Sequence, residues 1–168
     1  MKVRRSSMIV VVMILAFAGS VWARGSGVEL GVFGSYVSTN DLGDGTGAGL
    51  KLELQPSDWF SIDARASAIR FGNKNVDMIP LELAALLNIP LADEQIVPYV
   101  GVGCGYYFFE ADKFSMDDHA GFFPLLGLEI GAYNLSFLAE ARWLSLGSSS
   151  GEPDVDGLGI NLGLLFRF

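Results

Sequence analysis

Along most of the chain every second side chain is apolar, and the residues between are small or polar. The last stretch shows this well: Leu158, Ile160, Leu162, Leu164, Phe166 and Phe168 alternate with Gly159, Asn161, Gly163, Leu165 and Arg167. A period of two places one set on each face of a β-strand. Seven earlier segments carry the pattern, at 28–37, 48–55, 59–71, 76–89, 96–110, 120–132 and 135–146. In the second, Leu50, Leu52 and Leu54 alternate with Lys51, Glu53 and Gln55; in the third, Ile62, Ala64, Ala66 and Ala68 oppose Asp63, Arg65 and Ser67. The fourth sets Ile79, Leu81, Leu83 and Leu87 opposite Glu82. The fifth sets Val100, Val102, Cys104, Tyr106 and Phe108 against Gly101, Gly103, Gly105 and Tyr107. In the sixth, Phe122, Leu126, Leu128 and Ile130 oppose Gly127, Glu129 and Gly131; in the seventh, Leu135, Phe137, Ala139, Ala141 and Trp143 oppose Ser136, Glu140 and Arg142.

The connections alternate in length. Short turns built from Pro, Asp and Asn fall at 56–58, 90–94 and 133–134, with mostly longer connections at 38–47, 72–75, 111–119 and 147–156. Segments of about ten residues suit a tilted strand crossing a bilayer. No run after the leader described next reaches the ~20 residues of a membrane-spanning helix. Lipid accepts only helices or closed barrels, because every backbone polar group must be paired. The expectation is therefore all-β: an eight-stranded antiparallel transmembrane up-and-down β-barrel. Its even strand number puts both mature termini at the periplasmic end, with the longer loops outside.

The first residues predict export. Met1 to Arg5 are short and basic, 8–18 are apolar, and Val21 and Ala23 are small residues at the positions a signal peptidase reads. Residues 1–23 are expected to be a cleavable signal peptide cut after Ala23, leaving 24–168 as one barrel domain. The leader takes three of eleven basic residues and none of the nineteen acidic ones, so the mature segment carries a formal charge of −11. That excludes nucleic acid as a natural partner. Cys104 stands alone, so no intramolecular disulfide forms, and Val102 and Tyr106 mark it as an apolar packing position.

Alternation does not by itself say which face is inside, and a soluble lipocalin-type barrel has its apolar face inward. Aromatics at strand ends on the apolar face (Tyr36, Phe60, Phe108, Phe122, Trp143, Phe166, Phe168) instead suit girdles at two membrane interfaces. With that phase Lys51, Arg65, Arg142 and Arg167 point into the lumen with Glu53, Asp63, Glu82, Glu129 and Glu140. Near-balanced charge predicts a salt-bridged network between neighbouring strands, because buried charges survive only when paired. Lys51 and Glu53 are expected to meet Asp63 and Arg65, and Glu129 to meet Glu140 or Arg142. An eight-stranded barrel is just wide enough for side chains to fill it. The alternative is a narrow channel or small-ligand conduit, because inward Gly101, Gly103, Gly105, Gly127, Gly131, Gly159 and Gly163 lack side chains. Those glycines instead make room for Arg and Tyr from other strands if the lumen is filled.

The stretch Pro98-Tyr99-Val100-Gly101-Val102-Gly103-Cys104-Gly105-Tyr106-Tyr107-Phe108 resembles the fifth strand of the OmpA-like, opacity-type small outer-membrane barrels. Asn134 to Leu144 resembles their seventh strand, and Phe168 their terminal aromatic. The resemblance implies an envelope-structural or surface-interaction role, with outer-membrane lipid and lipopolysaccharide as surroundings. It also implies an assembly signal at Leu164, Phe166 and Phe168 read by the barrel-assembly machinery. With the sequence ending at Phe168, no peptidoglycan-binding domain is expected. Some such barrels act on lipid A, a weaker alternative that needs a Ser activated by a base. The one histidine, His119, is expected in a solvated loop, and residue 121 is Gly where a strand His–Ser pair needs Ser. No catalytic residue, cofactor or metal ligand is expected. Asp41 to Gly45 and Asp154 to Gly157 share the carboxylates of calcium loops without their twelve-residue spacing, and an unknown ligand at these acidic loops is a further expectation.

Overall fold

The alternating segments form eight strands that pair in chain order and close on themselves. In the computed structural model, which describes residues 27–72, 75–91, 95–111, 118–132, 134–146 and 154–168, they are β1 (Gly27–Thr39), β2 (Gly43–Ser57), β3 (Phe60–Phe71), β4 (Val76–Asn88), β5 (Ile96–Ala111), β6 (His119–Ala132), β7 (Leu135–Leu144) and β8 (Gly157–Arg167). Every neighbouring pair is antiparallel, and β1 meets β8 from Glu29↔Arg167 to Thr39↔Gly157. The barrel is thus up-and-down. The ends of β1 and β8 that carry the chain termini share one rim, here termed proximal; the opposite, distal rim is where β1 passes to β2, β3 to β4, β5 to β6 and β7 to β8. The leader and Ala23 lie outside the described residues. Among those residues no helix is long and apolar enough to cross a membrane.

The pleat sorts residues as the alternation dictates. Leu83, Leu126, Leu162, Val102 and Phe137 stand on the outer wall, each more than half exposed. A wall of this kind is stable only against lipid. Cys104 shares it as a free thiol, and Tyr36, Phe122, Trp143, Phe166 and Phe168 project outward near the rims.

Two boundaries differ from the sequence expectation in an informative way. The segment 43–47, expected to be part of the connection 38–47, belongs to β2, and the first distal connection shrinks to 40–42. Gly43, with φ 76°, takes the turn. Gly47 is glycine for packing: a Cβ there would stand 2.0 Å from the Ala68 carbonyl oxygen and 2.8 Å from Ile69 Cα. His119, expected in a solvated loop, is the first residue of β6 and is buried. Its ring stands edge-on to Phe109 at 5.9 Å between centroids.

Gly47 yields a test. Gly47→Ala must part the β2–β3 ladder, and overpacking of this kind costs about 1–3 kcal/mol. The expected outcome is a lower urea midpoint for the folded barrel, read from its shifted mobility in unheated SDS gels.

Candidate functional site

Inside the wall, the inward positions divide into two layers. The distal layer is apolar: Val37, Ile69, Phe71, Val76, Met78, Tyr107, Phe109 and Leu144 pack with Leu42 and Val155 from the loops, and all are buried. The middle and proximal lumen hold the charges. Lys51, Glu53, Asp63, Arg65, Glu82, Glu129, Glu140 and Arg142 are all buried, and Arg167 is half-buried at the proximal rim. Glu29, absent from the sequence expectation, joins them and is 2% exposed.

The pairing differs from the expected neighbour-to-neighbour scheme. Lys51 does reach Glu53 at 2.7 Å and Asp63 at 3.4 Å, and Arg65 grips Asp63 on its own strand. The remaining bonds cross the lumen. Arg65 on β3 donates through Nη1 and Nη2 to Glu140 on β7, at 2.5 and 3.1 Å. Arg142 on β7 donates to Glu82 on β4. Lys51 Nζ on β2 lies 3.8 Å from Glu129 on β6, which meets neither Glu140 nor Arg142 among the described contacts. The reason is reach: the lumen of an eight-stranded barrel is one side chain wide, and a long guanidinium arm meets the facing wall. At the proximal rim Arg167 donates to Glu29 on the adjoining β1, 2.5 Å away.

Aromatics complete the filling. Tyr99 donates its hydroxyl to Glu140 at 3.1 Å, and Tyr107 donates to Glu82 at 2.8 Å. Asn161 adds a 3.0 Å bond to Glu140. The Phe123 ring faces both guanidiniums, 5.9 Å from Arg65 and 5.6 Å from Arg142, within cation–π range. The inward glycines give these side chains their room. A Cβ on Gly127 would lie 2.2 Å from Tyr99 Cζ, on Gly103 2.3 Å from Phe123 Cζ, and on Gly159 2.9 Å from Arg142 Nε. The space left by those glycines is occupied.

At the distal rim the two acidic segments come together. Asn40 and Asp41 donate backbone N–H groups to the carbonyls of Asp156 and Asp154 at 3.1 and 3.0 Å. Asp154 N–H donates to Asp41 at 2.6 Å, Asp156 N–H to Asp154 at 2.9 Å, and Asn40 Nδ2 to Asp154 at 2.8 Å. These carboxylates cap backbone donors and clasp the first loop to the approach of β8. The Asp156 N–H, and after it Asn40, hold the Asp154 carboxyl below the usual carboxylate range.

Of the three residues read as the assembly signal, Phe166 and Phe168 project outward, Leu164 is half-buried, and Phe168 N–H extends the ladder by donating to Val28 O at 3.0 Å.

A family model, described as outer membrane protein beta-barrel domain, matches residues 7–168. The chain belongs to this family. Its place is the bacterial outer membrane, with the apolar wall against lipid. Solved structures share the fold. Neisserial surface protein A is 14% identical with a TM-score of 0.66, covering 86% of this chain and 97% of its own. OprG of Pseudomonas aeruginosa is 16% identical with a TM-score of 0.66, covering 86% and 96%. Ail of Yersinia pestis is 19% identical with a TM-score of 0.56, covering 85% and 97%. No curated protein sequence matches the chain.

Two outcomes follow from this site. Glu140→Ala removes the acceptor shared by Arg65, Tyr99 and Asn161 and leaves the buried Arg65 guanidinium with Asp63 alone, a loss of up to about 3–5 kcal/mol. Replacing both members of the other cross-lumen pair, Glu82→Leu with Arg142→Met, should cost far less in the same urea titration. The clasp should respond to acid. Because the Asp154 pKa is depressed, its contribution is whole above the ordinary Asp value of about 3.9 and disappears as pH falls through the lower folded value. The Asp156 amide shift in NMR should therefore titrate with a midpoint below that of an unstructured Asp.

Proposed function

We propose that this protein is a sealed envelope barrel that acts through its distal rim, in a structural and surface-interaction role, and not through a pore. The observation that carries the reading is the apolar layer: Val37, Phe71, Val76, Tyr107 and Leu144 are wholly buried above a filled charged belt. A water path would have to cross both. Dry apolar constrictions block ions by dewetting.

The rim gives the interaction its chemistry. Asp41, Asp44, Glu110 and Asp118 are exposed there, and Arg70 is already paired with Asp77 at 2.7 Å. Such a surface favours a cationic partner. Ail has been solved with the heparin analogue sucrose octasulfate, a polyanion that this acidic rim would repel. The residues argue against the lipid A enzyme reading as well: His119 packs in the apolar layer beside Phe109, and Gly121 faces inward where a nucleophile would be needed.

The remaining expectations belong to the same reading. Residues 1–23 direct export and are removed after Ala23, and both mature termini face the periplasm. The outward Phe166 and Phe168, with Leu164, present the last strand to the barrel-assembly machinery. Lipopolysaccharide packs against the distal part of the outer wall.

The experiment has two arms on the protein extracted folded from membranes. In planar bilayers it should give no discrete conductance steps. On immobilised polylysine, Asp41→Asn/Asp44→Asn/Asp118→Asn should be retained less than the unsubstituted barrel. Steps from the unsubstituted protein would overturn the sealed barrel. Equal retention would overturn the rim as the interaction surface.

A further inference from the structure

The described lumen carries six carboxylates, Glu29, Glu53, Asp63, Glu82, Glu129 and Glu140, against four cations, Lys51, Arg65, Arg142 and Arg167. Two negative charges are left over inside a wall surrounded by lipid. Uncompensated buried charge is expensive, so the surplus needs a counter-charge, and its position is specific.

Glu82 and Glu140 in the middle of the lumen are each held by a guanidinium and a tyrosine hydroxyl. The surplus lies proximally. Glu29, Glu53 and Asp63 stand directly opposite one another in register on β1, β2 and β3. Like charges placed so are destabilising. Asp63 is taken by Arg65 and Lys51. Glu29 and Glu53 are joined from across the lumen by Glu129 on β6, so that one carboxylate oxygen from each lies within 4.8 Å of the other two. All three residues are more than nine-tenths buried, and Glu29 Oε2 has no hydrogen-bond donor. Arg167 serves the other oxygen of Glu29, and Lys51 lies at 2.7 Å from Glu53 and 3.8 Å from Glu129.

We propose that Glu29, Glu53 and Glu129 bind a divalent cation, Ca²⁺ by preference, at the proximal end of the lumen. One such ion cancels the surplus. Three carboxylates with no nitrogen or sulfur donor select a hard cation. Two oxygens bound to one Ca²⁺ at 2.3–2.6 Å can stand up to roughly 5 Å apart, whereas Mg²⁺ at 2.0–2.1 Å demands a tighter cage. Water entering from the proximal rim supplies the remaining ligands, since Ca²⁺ takes 6–8 oxygens. The ion joins β1 and β2 to β6 across the lumen. The site lies at the end of the barrel opposite the acidic distal loops, whose carboxylates already cap backbone N–H groups.

The test is equilibrium dialysis of the folded, membrane-extracted protein against radioactive Ca²⁺ alone, after stripping with chelator. One Ca²⁺ per barrel is expected. Glu53→Gln and Glu129→Gln should each weaken uptake at least about tenfold, whereas Asp41→Asn/Asp154→Asn should leave it unchanged. Gln is nearly isosteric and relieves like-charge repulsion, so these variants should keep the heat-modifiable mobility of the folded barrel. Chelator should also lower the thermal midpoint of the unsubstituted protein and leave that of Glu129→Gln unmoved. No saturable uptake by the unsubstituted barrel would mean that protons compensate the surplus and would overturn the site. So would uptake that survives both Gln substitutions or vanishes with the distal pair.

Discussion

A strand edge in lipid leaves a row of N–H and C=O groups without partners, so β1 has to find β8. It does so along nearly its whole length, and Phe168 adds one more rung by donating to Val28 O. That closure fixes the rest. Eight strands enclose a lumen one side chain wide, so every inward residue must fit against the facing wall as well as its neighbours. The alternation that sends Leu83, Leu126 and Leu162 into lipid sends Lys51, Glu82 and Arg142 into that narrow space.

The lumen meets this constraint by pairing charges across its width. Arg65–Glu140 ties β3 to β7, and Arg142–Glu82 ties β7 to β4. Neither pair is a strong argument for net stability, because desolvation offsets most of the attraction. What such pairs contribute is selectivity. A one-residue slip in β2, β3, β4 or β7 would send its lumen charges into lipid and strand their partners. The network therefore penalises wrong registers more than it stabilises the right one. Phe123, within cation–π range of two guanidiniums, adds an aromatic face to the network.

Much of this is legible in the sequence, and the failures have physical causes. Alternation marks the strands wherever one face is apolar and the other charged, as at Leu50–Lys51–Leu52–Glu53. It fades at the distal ends, where Ile69, Phe71, Val76 and Met78 are apolar on the inward face too, because there the lumen is capped and not charged. Glu29 is obscured for a related reason: its strand places Phe33 and Val37 inward and Gly34 outward, so neither face reads as uniformly apolar or polar. The outward Leu30 and Val32 are the signal that would have placed it. Glycine misleads at Gly45 and Gly47, which lie in the expected connection but serve close approach between strands. The choice of partners across the lumen is not a sequence-local property at all, since Arg65 and Glu140 lie 75 residues apart. Function is harder still, because barrels of this architecture serve varied roles.

The two charged regions are separated by the apolar layer, and the separation matters for how the protein can act. Charges in the lumen are screened from outside by Phe71, Phe109 and Leu144 and cannot steer anything toward the cell surface. The rim carboxylates act through water, where their influence fades over the ~8 Å Debye length of physiological salt. A rim of that kind attracts broadly and holds weakly unless a partner also makes close contacts. Here the backbone around Asp41, Asp154 and Asp156 is already bonded between the first connection and the approach to β8, so this part of the rim offers a fixed surface. A partner binding there gives up less loop-ordering entropy than it would to mobile loops, which favours selectivity by shape over selectivity by charge.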